Sequence, residues 1–342
     1  MKQAILTSIG SIMVKEVEQR EIAPGEVLIE LEVCGLCGSD LHIFEGDHPV
    51  IGPPTVMGHE FSGRVIQVGS HVKSLQLGDY VAGIPGVGCG ICEHCTMGNF
   101  NLCHELKVIG GHIPGAFAEF IIVPEENLIK IPEQFTATEG AMVESLAVAV
   151  HAVHHFSKVE GQTFAVLGAG PIGLLTLQVL KVFGAKNVIV SDPNKIRRHL
   201  SKELDADVSV DPLQEDLHEK VIKTVGLMGL DGAVDCAGSE KTLHQALSIT
   251  KNGGEIVIAA IFGESPKLPM RLLQRGERKL YGTQMYRKED FEIAIKLIET
   301  KKVNINALIT HRFEINQIHD AFMLASSRAS DVGKILIDIK KV

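Results

Sequence analysis

Clustered cysteines, histidine beside glycine and one glycine-rich turn carry the chemistry open to this sequence. Cys89, Cys92, Cys95 and Cys103 fall in one short Gly-bearing stretch, spaced Cys-x2-Cys-x2-Cys-x7-Cys. Four thiolates at that spacing can wrap one Zn²⁺ tetrahedrally at ~2.3 Å each, which leaves no coordination position open. The spacing therefore predicts a structural zinc lobe over residues 88–104. Two disulfides or an iron–sulfur cluster would use the same residue type. An odd total of seven cysteines with four clustered argues for metal over a disulfide framework.

A closed site does no chemistry, so a second, open one is expected. Such a catalytic zinc takes three protein ligands and keeps one position for water or substrate. Cys37 and His59 are ligand types that suit it. The third ligand could be Glu60, Glu144 or another acid brought in by the fold. Glu144 is the one acid in the apolar middle of a predicted helix, where an unpaired carboxylate would be costly. Asp40 is a candidate to hold the second ring nitrogen of His59. Ser39 and His42 place a hydroxyl and an imidazole near Cys37, a pair that can pass a proton to solvent. Each residue is weak evidence alone, since a lone cysteine or histidine is more often a packing residue. Concentrated just upstream of a zinc lobe, they point to a site.

The third constellation is Gly168-Ala169-Gly170-Pro171-Ile172-Gly173. A predicted strand, Thr163–Leu167, runs into it and a predicted helix follows. Glycines there allow a tight turn and bring a pyrophosphate against a helix N-terminus, whose free N–H groups favour an anion. A second strand ends in Asp192, where an acid would accept from a ribose 2′-hydroxyl and repel a 2′-phosphate. NAD is therefore expected in preference to NADP.

Two textures of sequence must position these groups. The 342 residues are enough for two domains. Up to about Val123 the chain reads as short strands with Gly punctuation, as in the alternating Val27–Val33, which is an all-β barrel pattern. From Thr136 helices and strands alternate, as in a doubly wound α/β domain. His151 and His155 are four apart on a helix and could share a metal, although a plain connecting helix is the simpler reading. A closing strand over Gly333–Ile339 is expected to return to the first domain. The net charge of −9, with no basic run, argues against a nucleic-acid partner. No stretch is long enough to span a bilayer, and Met1–Ile5 lacks a signal peptide's apolar core, so a cytoplasmic protein is expected.

Taken together, these motifs resemble the zinc-dependent medium-chain alcohol dehydrogenases, in the polyol branch that includes sorbitol (L-iditol) dehydrogenase and threonine dehydrogenase. The resemblance spans essentially the whole chain. It rests on Cys37-Gly38-Ser39-Asp40-Leu41-His42, Gly58-His59-Glu60 with Gly63 and Gly69, the four-cysteine lobe, Glu144-Ser145-Leu146 and the glycine-rich turn. It implies an α/β chain with a GroES-like β-barrel catalytic domain over 1–150 and 288–342. A Rossmann dinucleotide-binding domain would fill 151–287. It implies two Zn²⁺ per chain, one structural and one catalytic. The catalytic zinc would be held by Cys37, His59 and an acid: Glu60 in the sorbitol-dehydrogenase type, while Glu144 ligates in some members and holds the zinc water in others. Ser39 and His42 would form the proton relay. Gly168, Gly170, Pro171, Ile172 and Gly173 would bind NAD, with Asp192 and Arg197 on its adenosine ribose. The implied reaction is oxidation of a secondary alcohol to a ketone, by a homodimer or homotetramer.

Two departures from the branch stand out. Ser145 replaces its usual proline, and Met285 stands where an arginine often grips a polyol. Arg287 and Lys288 keep a sugar-acid or sugar-phosphate substrate in view, and a bulkier ketone reduced on the same scaffold is a further alternative. Phe44, His48, Phe117, Met285 and Tyr286 are candidate pocket-wall residues.

Overall fold

The alternating run at Val27 becomes the strand Glu26–Leu36, the longest in the first of two units. It is buried along most of its length because it is paired on both edges. One edge takes Glu60–Val68. The other takes Phe120–Pro124 along its first half and Lys334–Asp338 along its second, all antiparallel. The sheet continues through Tyr80–Gly83 to Leu128–Lys130 at one end and to Ile309–Glu314 at the other. Val27, Ile29, Leu31, Phe61, Phe117, Ile335 and Ile337 fill the core of this unit. The computed structural model describes residues 1–329 and 331–340.

The first unit comprises Met1–Glu144, Arg287–Thr300 and Ile309–Val342; the second comprises Ser145–Tyr286 and Lys301–Leu308. The chain passes from one to the other inside the helix Ala137–His154. Residues 301–308 differ from the sequence expectation, which placed them in the first unit. Val303, Ile305 and Leu308 are buried there, and the Asn304 N–H donates to Gln178 Oε1 at 2.6 Å. Those side chains find their apolar and polar partners in the second unit.

The second unit is built on six parallel strands: Thr163–Leu167, Asn187–Ser191, Val208–Val210, Leu230–Asp235, Thr250–Ile258 and Lys279–Gly282. Numbered along the chain, their order in the sheet is 3-2-1-4-5-6. The order reverses beside the first strand, so the turn after it opens at the switch point where such sheets bind dinucleotides.

Candidate metal centres and cofactor loop

Cys37 follows the strand Glu26–Leu36 and N-caps the helix Gly38–Glu45. Asp40, in the first turn of that helix, is fully buried. Its two oxygens accept the backbone N–H of Cys37 at 2.9 Å and of Gly58 at 3.1 Å. The second of these oxygens stands 3.5 Å from His59 Nδ1. One carboxylate thus ties together two segments that are distant in sequence. With Nδ1 turned to Asp40, Nε2 is the ring atom left for a metal. Burial works against a charged His59, but Asp40 and then Cys37 outweigh it and hold the imidazole pKa well above its ordinary value.

One ligand atom each from Cys37, His59 and Glu60 lies within 4.8 Å of the others. A thiolate, an imidazole and a carboxylate suit zinc, and three ligands leave a position open. Among the described residues Glu144 is not in this cluster. Its carboxylate instead reaches Lys334 through its field. Ser39 and His42 sit three residues apart on the helix Gly38–Glu45, both half-buried, which puts them on one side of it.

Lys334 was not singled out from the sequence. Its ammonium pairs with the Glu60 carboxylate, and both side chains are buried. Burial works to lower the lysine pKa, but Glu60, then Cys37 and Glu144, outweigh it and raise the pKa above its ordinary value. The available signal was a lone cation heading the otherwise apolar run Ile335-Leu336-Ile337. Two of the wall candidates lie elsewhere than expected. Phe44 and Phe117 are buried in the core against Phe322, with ring centroids 5.0 and 5.8 Å away.

The sulfurs of Cys89, Cys92, Cys95 and Cys103 lie within 4.8 Å of one another. Two sulfurs bound to one Zn²⁺ at ~2.3 Å are ~3.8 Å apart, so the cluster fits that ion. The short helices Glu93–Thr96 and Phe100–Leu102 turn the chain around it. Gly88 is needed, because a Cβ there would stand 2.6 Å from Cys95 Sγ. The backbone N–H groups of Ile91 and Cys92 favour a thiolate at Cys89 and bring its pKa down to about 7. Within 88–104 only Asn101 and Cys103 are buried, while Ile91 and Met97 are exposed. The lobe therefore has no apolar core of its own.

His151 and His155 stack edge-on at 5.1 Å, and His155 lies flat against Tyr281 at 5.8 Å. They join no group of three or more candidate metal ligands among the described residues.

In the second unit Gly168 has φ +95°, a conformation that favours glycine. A Cβ on Gly173 would strike the Gly168 carbonyl, so the turn and the helix pack backbone to backbone. Pro171 starts the helix Pro171–Val182 in its first position. The next N–H groups have no intrahelical acceptor and face an incoming anion. Asp192, 4% exposed, accepts the Ala169 N–H with one oxygen and the Asn194 N–H with the other, both at 2.7 Å. It is thereby locked beside the turn. Arg197 is half-buried in the helix Lys195–Glu203. It is Arg198, overlooked in the sequence, that donates to the Asp192 carbonyl at 2.7 Å and pairs with Asp211 at 2.7 Å.

Comparison with known proteins agrees with this layout. The alcohol dehydrogenase GroES-like domain family matches residues 23–133, and the zinc-binding dehydrogenase family matches residues 171–300. L-threonine 3-dehydrogenase of Pyrococcus furiosus is 33% identical over 331 residues, covering 95% of this chain and 94% of its own. A protein of Emericella nidulans assigned as D-xylulose reductase A is 34% identical, covering 88% and 86%. The NADP-bound structure of a protein from Sinorhizobium meliloti 1021 assigned as a zinc-binding dehydrogenase superposes with a TM-score of 0.92 at 33% identity, covering 99% of both chains. In sequence, in fold and in the residues gathered at its metal-ligand clusters, the chain belongs to the zinc-dependent medium-chain alcohol dehydrogenase family, in its polyol branch.

Proposed function

We propose that the chain oxidises a polyol or other secondary alcohol to a ketone with NAD⁺, using Cys37, His59 and Glu60 as catalytic-zinc ligands and the four-cysteine lobe as a structural zinc site. The observation that carries this reading is the convergence of the three ligand atoms within 4.8 Å, braced by buried Asp40. Zinc bound there supplies a Lewis acid for the alcohol oxygen, and NAD⁺ supplies the hydride acceptor. Asp40 keeps the His59 ring oriented and its Nε2 aimed at the ligand cluster. Ser39 Oγ takes the hydroxyl proton and His42 passes it to solvent. The alcohol thus loses one hydride and one proton, and leaves as the ketone. Glu144 contributes negative charge close by rather than a ligand atom. Met285 in place of a basic residue removes a polar grip, and favours a substrate with fewer hydroxyls on that side.

Cytoplasmic residence and a homodimer or homotetramer complete the reading. Among the described residues no helix is long and apolar enough to cross a membrane.

The test is NAD⁺ reduction by metal-verified protein over polyols, 2,3-diols, threonine, sugar acids, sugar phosphates and simple secondary alcohols. Two zincs per chain and turnover of the polyols or diols is the expected result. Turnover confined to sugar acids or phosphates would replace the substrate class. Silence across the panel and in the reducing direction would reject the reading.

For the cofactor, support comes from Asp192, locked where a 2′-phosphate would have to lie against its charge. NADP in a relative of one-third identity makes the comparison worth measuring. Asp192→Asn is expected to raise the KM for NAD⁺ about tenfold or more, the loss of one charge-assisted hydrogen bond. It should also raise the NADP⁺/NAD⁺ ratio of kcat/KM. A ratio unmoved by the substitution would show that Asp192 does not set the preference.

A further inference from the structure

His48 and His112 have no part in the reaction steps above, yet the first unit brings both to one loop contact next to His42. The helix Gly38–Glu45 ends at Gly46 in the left-handed region, φ +84°, and the chain turns back. The N–H groups of Asp47 and His48 donate to the His42 carbonyl at 2.9 and 3.1 Å. The half-buried His48 ring is pinned by its own loop: Nδ1 accepts the N–H groups of Val50 and Ile51 at 3.3 and 3.0 Å. Ile51 lies against Gly111, where a Cβ would stand 2.4 Å from Ile51 Cδ1. Thr55 Oγ1 donates to the Gly111 carbonyl at 3.4 Å. The next residue is the exposed His112, whose Nδ1 accepts the Val108 N–H at 3.2 Å. This second loop packs on the residue before His59. A Cβ on Gly110 would stand 2.7 Å from the Gly58 carbonyl oxygen, and one on Gly115 2.4 Å from it.

In both rings Nδ1 is an acceptor, so the proton of the neutral imidazole sits on Nε2, which is the donor each ring can offer to a ligand. Neither ring can hand a proton on through Nδ1, so they do not extend the His42 relay. Burial, then the fields of His112 and His42, hold the His48 pKa below its ordinary value. Once protonated, the three imidazoles repel one another. Of the acids on the same stretch of chain, Glu45 is paired with Arg328 at 3.5 Å and Asp47 is exposed. The carbonyls of His42 and Ile43 at the helix end are already taken by the N–H groups of Gly46, Asp47 and His48. A metal is a poor fit, since these histidines join no group of three or more candidate ligands among the described residues. An anion between the rings would accept both Nε2–H groups and relieve the repulsion. We propose that His48 and His112 form an anion-binding subsite beside the catalytic ligands, which takes the carboxylate or phosphate group of a polyol that carries one. Neutral polyols are turned over, and those that end in an anion are preferred. This rests on the reading of the chain as a polyol dehydrogenase.

The test compares the best neutral polyol with the carboxylate and the phosphate ester of the same carbon skeleton, on zinc-loaded full-length protein. The kcat/KM of at least one anion is expected to exceed that of the neutral polyol by about tenfold or more, the scale of one charge-assisted hydrogen bond. A gain with the carboxylate alone assigns a sugar acid, and a gain with the phosphate alone a sugar phosphate. His48→Asn and His112→Asn keep an oxygen where Nδ1 accepts its backbone N–H groups, but lose the Nε2 donor. Each is expected to remove most of the anion's advantage, whereas His112→Gln, whose amide reaches the Nε2 position, should keep it. Equal kcat/KM for the three substrates, or an advantage that survives both Asn substitutions, would overturn the proposal. Inorganic phosphate gives a second readout that needs neither turnover nor a variant. It should shift the imidazole resonances of His48 and His112 in the wild-type protein, and unmoved resonances would overturn the proposal. No turnover of any of the three substrates, with those resonances shifted, would reject the polyol reading and leave the subsite standing, which separates the two failures.

Discussion

His59→Ala is expected to lower kcat/KM by about a thousandfold or more, because Lewis-acid stabilisation supplies several kcal/mol at the transition state. The zinc content should fall from two per chain to one, with the lobe still occupied. The fold should persist, since His59 is partly exposed and the core beside it is made by Phe61, Phe117 and Val65. Asp40 would lose one partner but keep the N–H groups of Cys37 and Gly58. Steady-state kinetics, elemental analysis and circular dichroism together check this. Two zincs retained with activity lost would mean that His59 serves the reaction in some other way. Full activity with one zinc would remove the metal from the proposed mechanism.

Replacing Cys92 and Cys95 together by serine should have the largest effect on stability. The lobe over 88–104 buries only Asn101 and Cys103, so a bound ion is expected to supply most of its folding energy. In sites of this kind metal binding is folding free energy, of order 10 kcal/mol for a closed zinc site. The variant is expected to be cleaved within the lobe under limited proteolysis, and to unfold at least several degrees below the wild type. Chelation strong enough to strip the lobe zinc should reproduce the effect. The sheet around Glu26–Leu36 has its own core and should keep its far-ultraviolet signal near room temperature. A lobe that resists protease without metal would show that the thiols pack it unaided.

Features that depend on short-range spacing were readable from the chain. The four lobe cysteines lie within 15 residues, from Cys89 to Cys103, and a run that short can reach one ion by local turns alone. The same holds for the strand, glycine turn and helix from Thr163 to Val182, where the close approach of Gly173 to Gly168 admits no side chain. Alternation of apolar residues announced Glu26–Leu36, and alternation of strand and helix announced the doubly wound sheet. His59 and Glu60 could be suspected as chemistry, but spacing could not choose between Glu60 and Glu144.

Tertiary structure separates the two. Register pairs Gly35 with Glu60, so Glu60 is placed beside Cys37, while among the described residues Glu144 lies outside that cluster. Lys334 lies 274 positions from Glu60 in sequence, and only the pairing of both strands with Glu26–Leu36 brings them together. The same limit explains residues 301–308, which follow a helix of the first unit yet bury their side chains in the second. It also explains Phe44 and Phe117, aromatic enough for a pocket wall but drawn into the core by Phe322. Sequence by itself determined which residue types could do chemistry and which local turns would present them. Which carboxylate joins Cys37 and His59, and which buried cation pairs with it, was decided by long-range strand pairing, because side chains from distant segments meet only when the sheet sets their register.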